Sequence, residues 1–250
     1  SVGSNKKYKS NIGPVPGKVK FCKFNDVSHL KKLVNKKTVA IIIEFVQGDG
    51  GINICSKNFA KAIKGICKNK KILLIGDEIQ GGIGRTGKIF AYKHYGVNPD
   101  IITSAKGLGS GIPIGATIVK KYISKIISTG FHGSTFGGGM LQTRVSYNVF
   151  KTINTKRFLN KVLINGNLLS SLIKKMHHLH KDKIVDTRCL GLMAGVEFKN
   201  NQIALKTYEK MSKNGLISTL IQGNIIRLTP PLIVSSGEIR KAIKIITQSL

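Results

Sequence analysis

The chain has 250 residues, of which 41% are hydrophobic, a composition that is typical of folded proteins and excludes a disordered chain. Lysine and arginine together number 41 against 11 aspartate and glutamate residues, so the formal net charge is +30 at pH 7. The apolar runs, such as residues 39–43, are far too short to span a bilayer, which excludes a transmembrane protein.

The positive charge alone does not indicate a protein that reads nucleic acid. Most of the basic residues are lysines spread along the whole chain, and no zinc-finger, RNP or KH pattern is present. Arginine binds bases and phosphates in more specific geometries than lysine does. We therefore expect solvated lysine-rich surfaces and no specific nucleic-acid partner, while non-specific binding of polyanions stays open.

Cysteine and histidine give no sign of a disulfide framework or a metal site. The four cysteines lie far apart without a CxxC pair, which predicts a reducing, cytoplasmic location and no cysteine zinc site. His177, His178 and His180 form a cluster, but only the first and third share a helix face, and no carboxylate completes a ligand set. We expect a solvated helix end there and no metal.

The first half of the chain has the pattern of a βαβ unit. Residues 39–45 predict a buried strand, residues 56–69 a helix with Ser56 as its N-cap, and residues 72–75 a second strand. A strand, helix and strand in this order predict a parallel sheet. Two more strands are predicted at residues 101–104 and 115–119. Before this unit, residues 1–38 are predicted to form loops around Gly13-Pro14 and Pro16-Gly17.

The pattern changes after about residue 154. A long amphipathic helix is predicted over residues 158–180, followed by two strands, 184–190 and 192–198, that turn at Gly191. Then come a helix over 202–213, short strands over 216–219 and 224–228, and a last helix over 236–249. We predict that residues 1–154 belong to one domain with a mainly parallel sheet, and that residues 155–250 form a smaller α+β domain.

Acidic residues are scarce, so their positions are informative. Glu44 closes one apolar strand, Asp77 and Glu78 close the next, and Lys106 follows the third. Because ligands of open parallel sheets bind beyond the carboxyl ends of the strands, we expect these side chains to face one crevice. A fourth acidic residue, Asp49, lies in a nearby Gly-rich loop.

A lysine and an aspartate in one crevice are the minimum set for pyridoxal 5'-phosphate (PLP) chemistry. A partly desolvated Lys106 could lose its proton and form a Schiff base with an aldehyde. Asp77 could keep a pyridine nitrogen protonated, so that the ring withdraws electrons. By spacing alone, a capping aspartate and a surface lysine remain an alternative.

Four motifs in order carry a family resemblance. Residues 39–52 read V-A-I-I-I-E-F-V-Q-G-D-G-G-I, and residues 75–87 read I-G-D-E-I-Q-G-G-I-G-R-T-G. Residues 103–115 read T-S-A-K-G-L-G-S-G-I-P-I-G, and residues 132–138 read H-G-S-T-F-G-G. Together they resemble the class-III (ornithine-type) aminotransferases, which are PLP-dependent α/β transferases of fold type I. Residues 90–100, F-A-Y-K-H-Y-G-V-N-P-D, are most similar to the acetylornithine/succinyldiaminopimelate branch.

The resemblance implies a set of cofactor contacts. Lys106 would bond covalently to PLP and later move the proton between the substrate carbon and the cofactor. Asp77 would bond the pyridine nitrogen, and Gln80 would contact the phenolic oxygen of the ring. Thr135 would reach the phosphate of the cofactor held mainly by the neighbouring subunit of a homodimer.

The resemblance also implies how substrates bind. Arg227 would hold a substrate carboxylate with its forked guanidinium. Asp49 falls where the family has a glutamate that pairs with this arginine and releases it for 2-oxoglutarate. The implied reaction transfers the terminal amino group of N2-acetyl-L-ornithine, and also of succinyl-diaminopimelate, to 2-oxoglutarate, giving glutamate. An ornithine or 4-aminobutyrate aminotransferase, or a non-catalytic lysine-rich remnant, remains an alternative.

The resemblance covers the whole chain, but the family's proteins carry a long segment before the position of Ser1. That segment supplies a phosphate-binding turn, the aromatic ring stacked on the cofactor and an arginine for the α-carboxylate. We therefore expect an incomplete large domain followed by the small C-terminal domain, from a longer enzyme or a decayed gene. Such a chain alone would expose a sheet edge and apolar surface.

Overall fold

A computed structural model describes residues 19–250, so the loops predicted at Gly13-Pro14 and Pro16-Gly17 lie outside the described residues. The helices are α1 (Val27–Leu33), α2 (Lys57–Lys70), α3 (Lys121–Ser124), α4 (Met140–Ile153), α5 (Lys156–Leu179), α6 (Asn201–Lys213) and α7 (Ser236–Ser249). The strands are β1 (Ala40–Ile43), β2 (Val46–Gln47), β3 (Asn53–Ile54), β4 (Leu73–Asp77), β5 (Ile101–Ser104), β6 (Ala116–Val119), β7 (Ile184–Leu190), β8 (Met193–Phe198), β9 (Thr219–Ile221) and β10 (Ile225–Leu228). No helix among the described residues is long and apolar enough to cross a membrane.

The first sheet has the order β1-β4-β5-β6, with β1, β4 and β5 parallel and β6 antiparallel to β5. The predicted βαβ unit is confirmed, because α2 connects β1 to β4 and begins at the predicted cap, where Ser56 Oγ accepts a hydrogen bond from Phe59 N at 3.1 Å. Phe59 and Ile63 of α2 pack with Leu74 of β4. The carboxyl ends of the three parallel strands consequently meet at one edge.

The second sheet has the order β7-β8-β10-β9 and is antiparallel throughout. Gly191 makes the predicted turn between β7 and β8, and its φ of +59° favours glycine. Helices α5, α6 and α7 cover one face of this sheet, where Phe198, Ile226 and Ile246 are fully buried. This packing fixes β10, the strand that carries Arg227.

A small hairpin of β2 and β3 joins the two sheets. Ile52, in its loop, is fully buried and packs in one cluster with Met193 of β8. Arg188 of β7 donates a hydrogen bond to Asn53 Oδ1 at 3.1 Å. Arg85 adds a second connection, since its NH1 group donates to the carbonyl oxygens of Leu192 and Pro230 at 2.9 and 2.6 Å. Arg85 thus holds its Gly-rich turn against the second sheet.

Several elements differ from the sequence predictions, among them α3 and the β2–β3 hairpin, which were not predicted. The predicted loop over residues 1–38 contains α1, which begins where Asp26 Oδ1 accepts a hydrogen bond from His29 N. Helix α4 was not predicted, because several of its apolar side chains are exposed and hide its periodicity. The strand predicted at residues 216–219 lies at β9 instead, since Leu216 N bonds to Met211 O and closes α6. The division of the chain at residues 154 and 155 stays a proposal.

Candidate functional site

Three predicted residues meet at the carboxyl edge of the parallel sheet. Glu44 follows β1, Asp77 ends β4, and Lys106 comes two residues after β5. The carboxylate of Asp77 is oriented by Ile79 N, which donates to Oδ1 at 3.1 Å, and by Thr103 Oγ1, which donates to the same atom at 3.3 Å. Its second oxygen has no hydrogen-bond partner among residues 19–250, so it can accept from a ligand.

Lys106 is an exposed residue in a rarely populated backbone conformation. Its φ is +46°, and it begins a short 3-10 helix. Non-glycine residues with positive φ are uncommon and are concentrated at functional sites. Within the part of the chain that the structure describes, the side-chain amine has no ion pair, and Lys106 lines an open cavity of about 230 Å³ together with residues 111–114. No ion pair within these residues therefore competes with a ligand for this amine.

Glu78 does not face the crevice, which corrects the prediction from its position at the strand end. Its side chain is completely buried, and its carboxylate accepts hydrogen bonds from Ala91 N at 2.7 Å and Tyr92 N at 2.9 Å. Neighbouring residues at a strand end point to opposite faces, so Asp77 and Glu78 cannot both face the ligand. Burial raises the pKa of Glu78 to about 7, although the two amide groups act in the opposite direction.

Asp49, Gln80 and Arg227 form the second part of the site. Arg227 NH1 donates to Asp49 Oδ1 at 2.7 Å and to Gln80 Oε1 at 3.4 Å. The Arg227 side chain is 17% exposed and that of Asp49 is 71% exposed, so solvent or a ligand can reach the ion pair from the Asp49 side. Arg227 Nε is buried and has no hydrogen-bond partner among the described residues.

The turn that carries Asp49, residues 48–51, is called the Asp49 turn below. Its first residue must be small, because a Cβ at Gly48 would lie 2.1 Å from Gln80 Oε1. The absence of a side chain therefore lets Gln80 lie between the turn and Arg227.

Glu44 is a site residue to which the sequence analysis assigned no role. Its Oε2 accepts a hydrogen bond from Gly48 N at 3.1 Å, which ties the Asp49 turn to the end of β1. Burial raises the pKa of Glu44, and the charges of Asp77 and Asp49 act in the same direction, whereas Gly48 N–H and Lys106 lower it. The feature of the sequence that pointed to a role for Glu44 in the site was its position at the end of a predicted strand.

Gln222 is a second residue that the sequence did not reveal. It lies in the turn between β9 and β10, and its Nε2 donates to the backbone oxygen of Asp49 at 2.6 Å. The two residues are far apart in the sequence, and only the docking of the second sheet on the β2–β3 hairpin brings them together.

Thr135 lies apart from these residues. It belongs to an exposed stretch, residues 128–138, that we call the Thr135 loop. Among residues 19–250, no hydrogen bond or ion pair connects Thr135 with Asp77, Lys106 or Arg227. His132, Ser134 and other residues of this loop line an open cavity of about 310 Å³ together with residues 113–115.

The chemistry of the sheet edge fits PLP. The unpaired oxygen of Asp77 suits a protonated pyridine nitrogen, and the free amine of Lys106 suits an aldehyde. The amide of Gln80, held between Gly48 and Arg227, can donate to a phenolic oxygen. We therefore expect these three residues to hold the ring, and their individual roles remain predictions.

Comparison with known proteins gives relatives of one kind. The aminotransferase class-III family model matches residues 1–250. Ornithine aminotransferase 1 of Staphylococcus saprophyticus is 37% identical over 252 residues, which cover 100% of this chain and 62% of that protein. Acetylornithine aminotransferase of Methanocaldococcus jannaschii is 40% identical over 237 residues, which cover 93% of this chain and 58% of that protein. The chain thus spans about three fifths of the length of these relatives.

Solved structures with the same fold support this result. The ornithine aminotransferase from Toxoplasma gondii ME49 has a TM-score of 0.92 at 29% identity, covering 98% of this chain and 59% of that one. The acetylornithine aminotransferase from Elizabethkingia anophelis has a TM-score of 0.85 at 32% identity, covering 90% and 60%. The predicted resemblance, the α/β fold of type I and the PLP cofactor of the family are confirmed. The chain belongs to the class-III aminotransferases.

Proposed function

We propose that the protein transfers the terminal amino group of N2-acetyl-L-ornithine to 2-oxoglutarate. The observation that carries this proposal is the ion pair of Arg227 with the largely exposed Asp49, next to Gln80. An arginine whose partner is exposed can exchange that partner for a substrate carboxylate, which Arg227 NH1 would bind in place of Asp49.

An exchangeable pair suits a site that must accept two unlike amino groups. The donor carries its terminal amine on a carbon without a carboxylate, so Arg227 needs Asp49 as a counter-charge in that half-reaction. Glutamate and 2-oxoglutarate carry a carboxylate on the reacting carbon, which replaces Asp49 on the guanidinium. An uncompensated, mostly buried arginine would be unfavourable in the first case, and a fixed pair would block the second.

The other residues of the site act on the proton and the ring. When bound, PLP supplies an electron-accepting ring that stabilises a carbanion at the reacting carbon. Asp77 keeps the ring nitrogen protonated, and Thr103 and Ile79 N hold the carboxylate in place. Lys106 holds the cofactor and moves the proton as a general base and acid.

Support for the substrate comes from the relatives. Several are named acetylornithine aminotransferase, and two are named acetylornithine/succinyldiaminopimelate aminotransferase, at 35–40% identity. Succinyl-diaminopimelate is therefore proposed as a further donor. Ornithine is a second candidate donor, because a relative that covers the whole chain at 37% identity is named ornithine aminotransferase 1.

We also propose that the protein works as a homodimer. Phe131, Phe136 and Met140, in and beside the Thr135 loop, are 73%, 84% and 89% exposed. Large apolar side chains that are exposed together indicate an interaction surface. In such a dimer Thr135 would reach the phosphate of the cofactor bound by the other subunit. Sedimentation equilibrium should give twice the monomer mass, and a monomer with full activity would contradict the proposal.

Steady-state assays of the PLP-loaded protein test the reaction. We expect kcat/KM for acetylornithine to exceed that for ornithine by about tenfold, roughly the effect of one well-placed polar contact. A higher value for ornithine would favour the second candidate. The absence of any transamination would contradict both.

The variant Arg227→Gln tests the proposed role of the ion pair. We expect it to slow the glutamate half-reaction by about a hundredfold, because the substrate carboxylate loses its charged partner, and to affect the acetylornithine half-reaction much less. Arg240→Gln, on the exposed surface of α7, is the matched control. Equal losses in both half-reactions would contradict a carboxylate-binding role.

A further inference from the structure

The second sheet contacts Asp49 at two different points. Arg227, on β10, donates to the Asp49 carboxylate at 2.7 Å. Gln222, in the turn that precedes β10, donates to the Asp49 backbone oxygen at 2.6 Å. One short hairpin therefore holds both the side chain and the backbone of the same residue.

Gln222 has a backbone conformation that glutamine seldom adopts. Its φ is +52°, and the next residue, Gly223, has a φ of +82°. Two consecutive positive φ values favour asparagine, aspartate or glycine at the first position, because these residues tolerate the left-handed region. The turn itself does not require glutamine, whereas the contact with Asp49 uses the full length of its side chain.

We propose that Gln222 is a positioning residue that keeps Asp49 within reach of Arg227, an inference that rests on the proposed function. Aspartate has one methylene group between backbone and carboxylate, so the carboxylate moves with the backbone. The contact of Gln222 with the backbone oxygen does not depend on whether the carboxylate is paired. Gln222 therefore holds Asp49 in place while a substrate carboxylate occupies Arg227, and Asp49 can pair again when that substrate leaves.

This role predicts unequal effects on the two half-reactions. The acetylornithine half-reaction needs Asp49 on Arg227, and the glutamate half-reaction needs the pair to open. We expect Gln222→Gly to lower kcat/KM of the acetylornithine half-reaction by about threefold to tenfold, the effect of one hydrogen bond. The glutamate half-reaction should stay at or slightly above the wild-type rate.

Glycine is the suitable replacement, because it accepts a φ of +52° and lets the turn form. The two half-reactions are followed separately by the absorbance change of the PLP-loaded protein. The double variant Asp49→Glu/Gln222→Gly lengthens the acidic side chain by one methylene group. The longer side chain should reach Arg227 without the Gln222 hydrogen bond and restore most of the rate of the acetylornithine half-reaction. Gln202→Ala, on the exposed surface of α6, is the control.

Equal losses in both half-reactions would assign Gln222 a merely structural role and overturn the proposal. Unchanged half-reactions, or no recovery in the double variant, would overturn it as well. Recovery together with a selective loss would support it.

Hydrogen exchange of residues 46–54 gives a readout that does not depend on turnover. We expect about threefold faster exchange there in Gln222→Gly, and unchanged exchange in β4, because only the local opening equilibrium shifts. A protein without transamination would contradict the proposed function, and the exchange result would then decide on Gln222 alone. Unchanged exchange of residues 46–54 would overturn the positioning role.

Discussion

The Asp49 turn and the Thr135 loop are both Gly-rich segments that carry a predicted site residue, but they differ in how they are held. Glu44, which follows β1, and Gln222 and Arg227 of the β9–β10 hairpin each bond to the Asp49 turn. Every residue from 128 to 138 in the Thr135 loop is exposed.

The difference shows which part of the site the described residues complete by themselves. The first wall of the site, formed by the strand ends and the Asp49 turn, contains three carboxylates that are bonded within the chain, those of Glu44, Asp49 and Asp77. The Thr135 loop presents open surface that can be fixed only by further contacts. Substitutions in the first wall should therefore alter the stability of the protein and the geometry of the site. Substitutions in the Thr135 loop should alter neither as long as the loop has no further contacts.

The largest expected effect on stability comes from removing Arg85, whose side chain connects its Gly-rich turn to the second sheet. Arg85→Ala leaves the carbonyl oxygens of Leu192 and Pro230 without their donor. We expect the free energy of unfolding to fall by about 3 kcal/mol, measured by urea denaturation. Arg240→Ala, on the exposed surface of α7, should change it by less than about 0.5 kcal/mol. Equal stability of the two variants would contradict the structural role of Arg85.

A smaller effect on stability is expected from the buried carboxyl group of Glu78, which directly follows β4. The pKa of Glu78 is raised from 4.5 to about 7, so the folded state keeps this proton at pH values where the unfolded state has lost it. The contribution of Glu78 to stability must therefore decrease as the pH rises through the range from 4.5 to about 7.

We expect this contribution to amount to about 2 kcal/mol between pH 5 and pH 8. Glu78→Gln cannot ionise, so its unfolding free energy should lose this part of the pH dependence. Glu209→Gln, on the exposed surface of α6, should keep the wild-type profile. A Glu78→Gln profile parallel to that of the wild type would contradict the raised pKa.

The smallest expected effect comes from matched glycine substitutions in the Asp49 turn and in the Thr135 loop. In Gly48→Ala the new Cβ would displace the end of the Gln80 side chain. Because this side chain is flexible and can move away, we expect the free energy of unfolding to fall by less than about 1 kcal/mol. Because the displaced Gln80 can no longer contact the ring of PLP, we expect the affinity for PLP to fall by about fivefold to tenfold. In Gly133→Ala the Cβ meets nothing within 4 Å, and both quantities should stay unchanged. Chemical denaturation and PLP titration measure the two quantities. The same response in both variants would contradict the comparison.

Local signals predicted the framework of the site well. Ser56 marked the start of α2 through its capping oxygen, and the apolar runs marked β1, β4 and β5, so the meeting of Asp77 and Lys106 at one sheet edge followed from topology. These predictions succeeded because capping and burial are encoded within a few residues.

Contacts between distant segments could not be predicted. The inward direction of Glu78 depends on amide groups of residues 91 and 92, and the contact of Gln222 with Asp49 depends on how the two sheets dock. No local pattern encodes either. Helix α4 was missed for a related reason, because its exposed apolar residues Met140, Leu141 and Tyr147 blur the amphipathic pattern.

The most direct test of the central claim is covalent capture of the cofactor. The protein is incubated with PLP and reduced with borohydride, and the modified lysine is located by peptide mass spectrometry. The account predicts an adduct concentrated on Lys106, which lines the cavity at the sheet edge. Labelling spread over the many surface lysines, with no preference for Lys106, would contradict the claim that these strand ends form a PLP site.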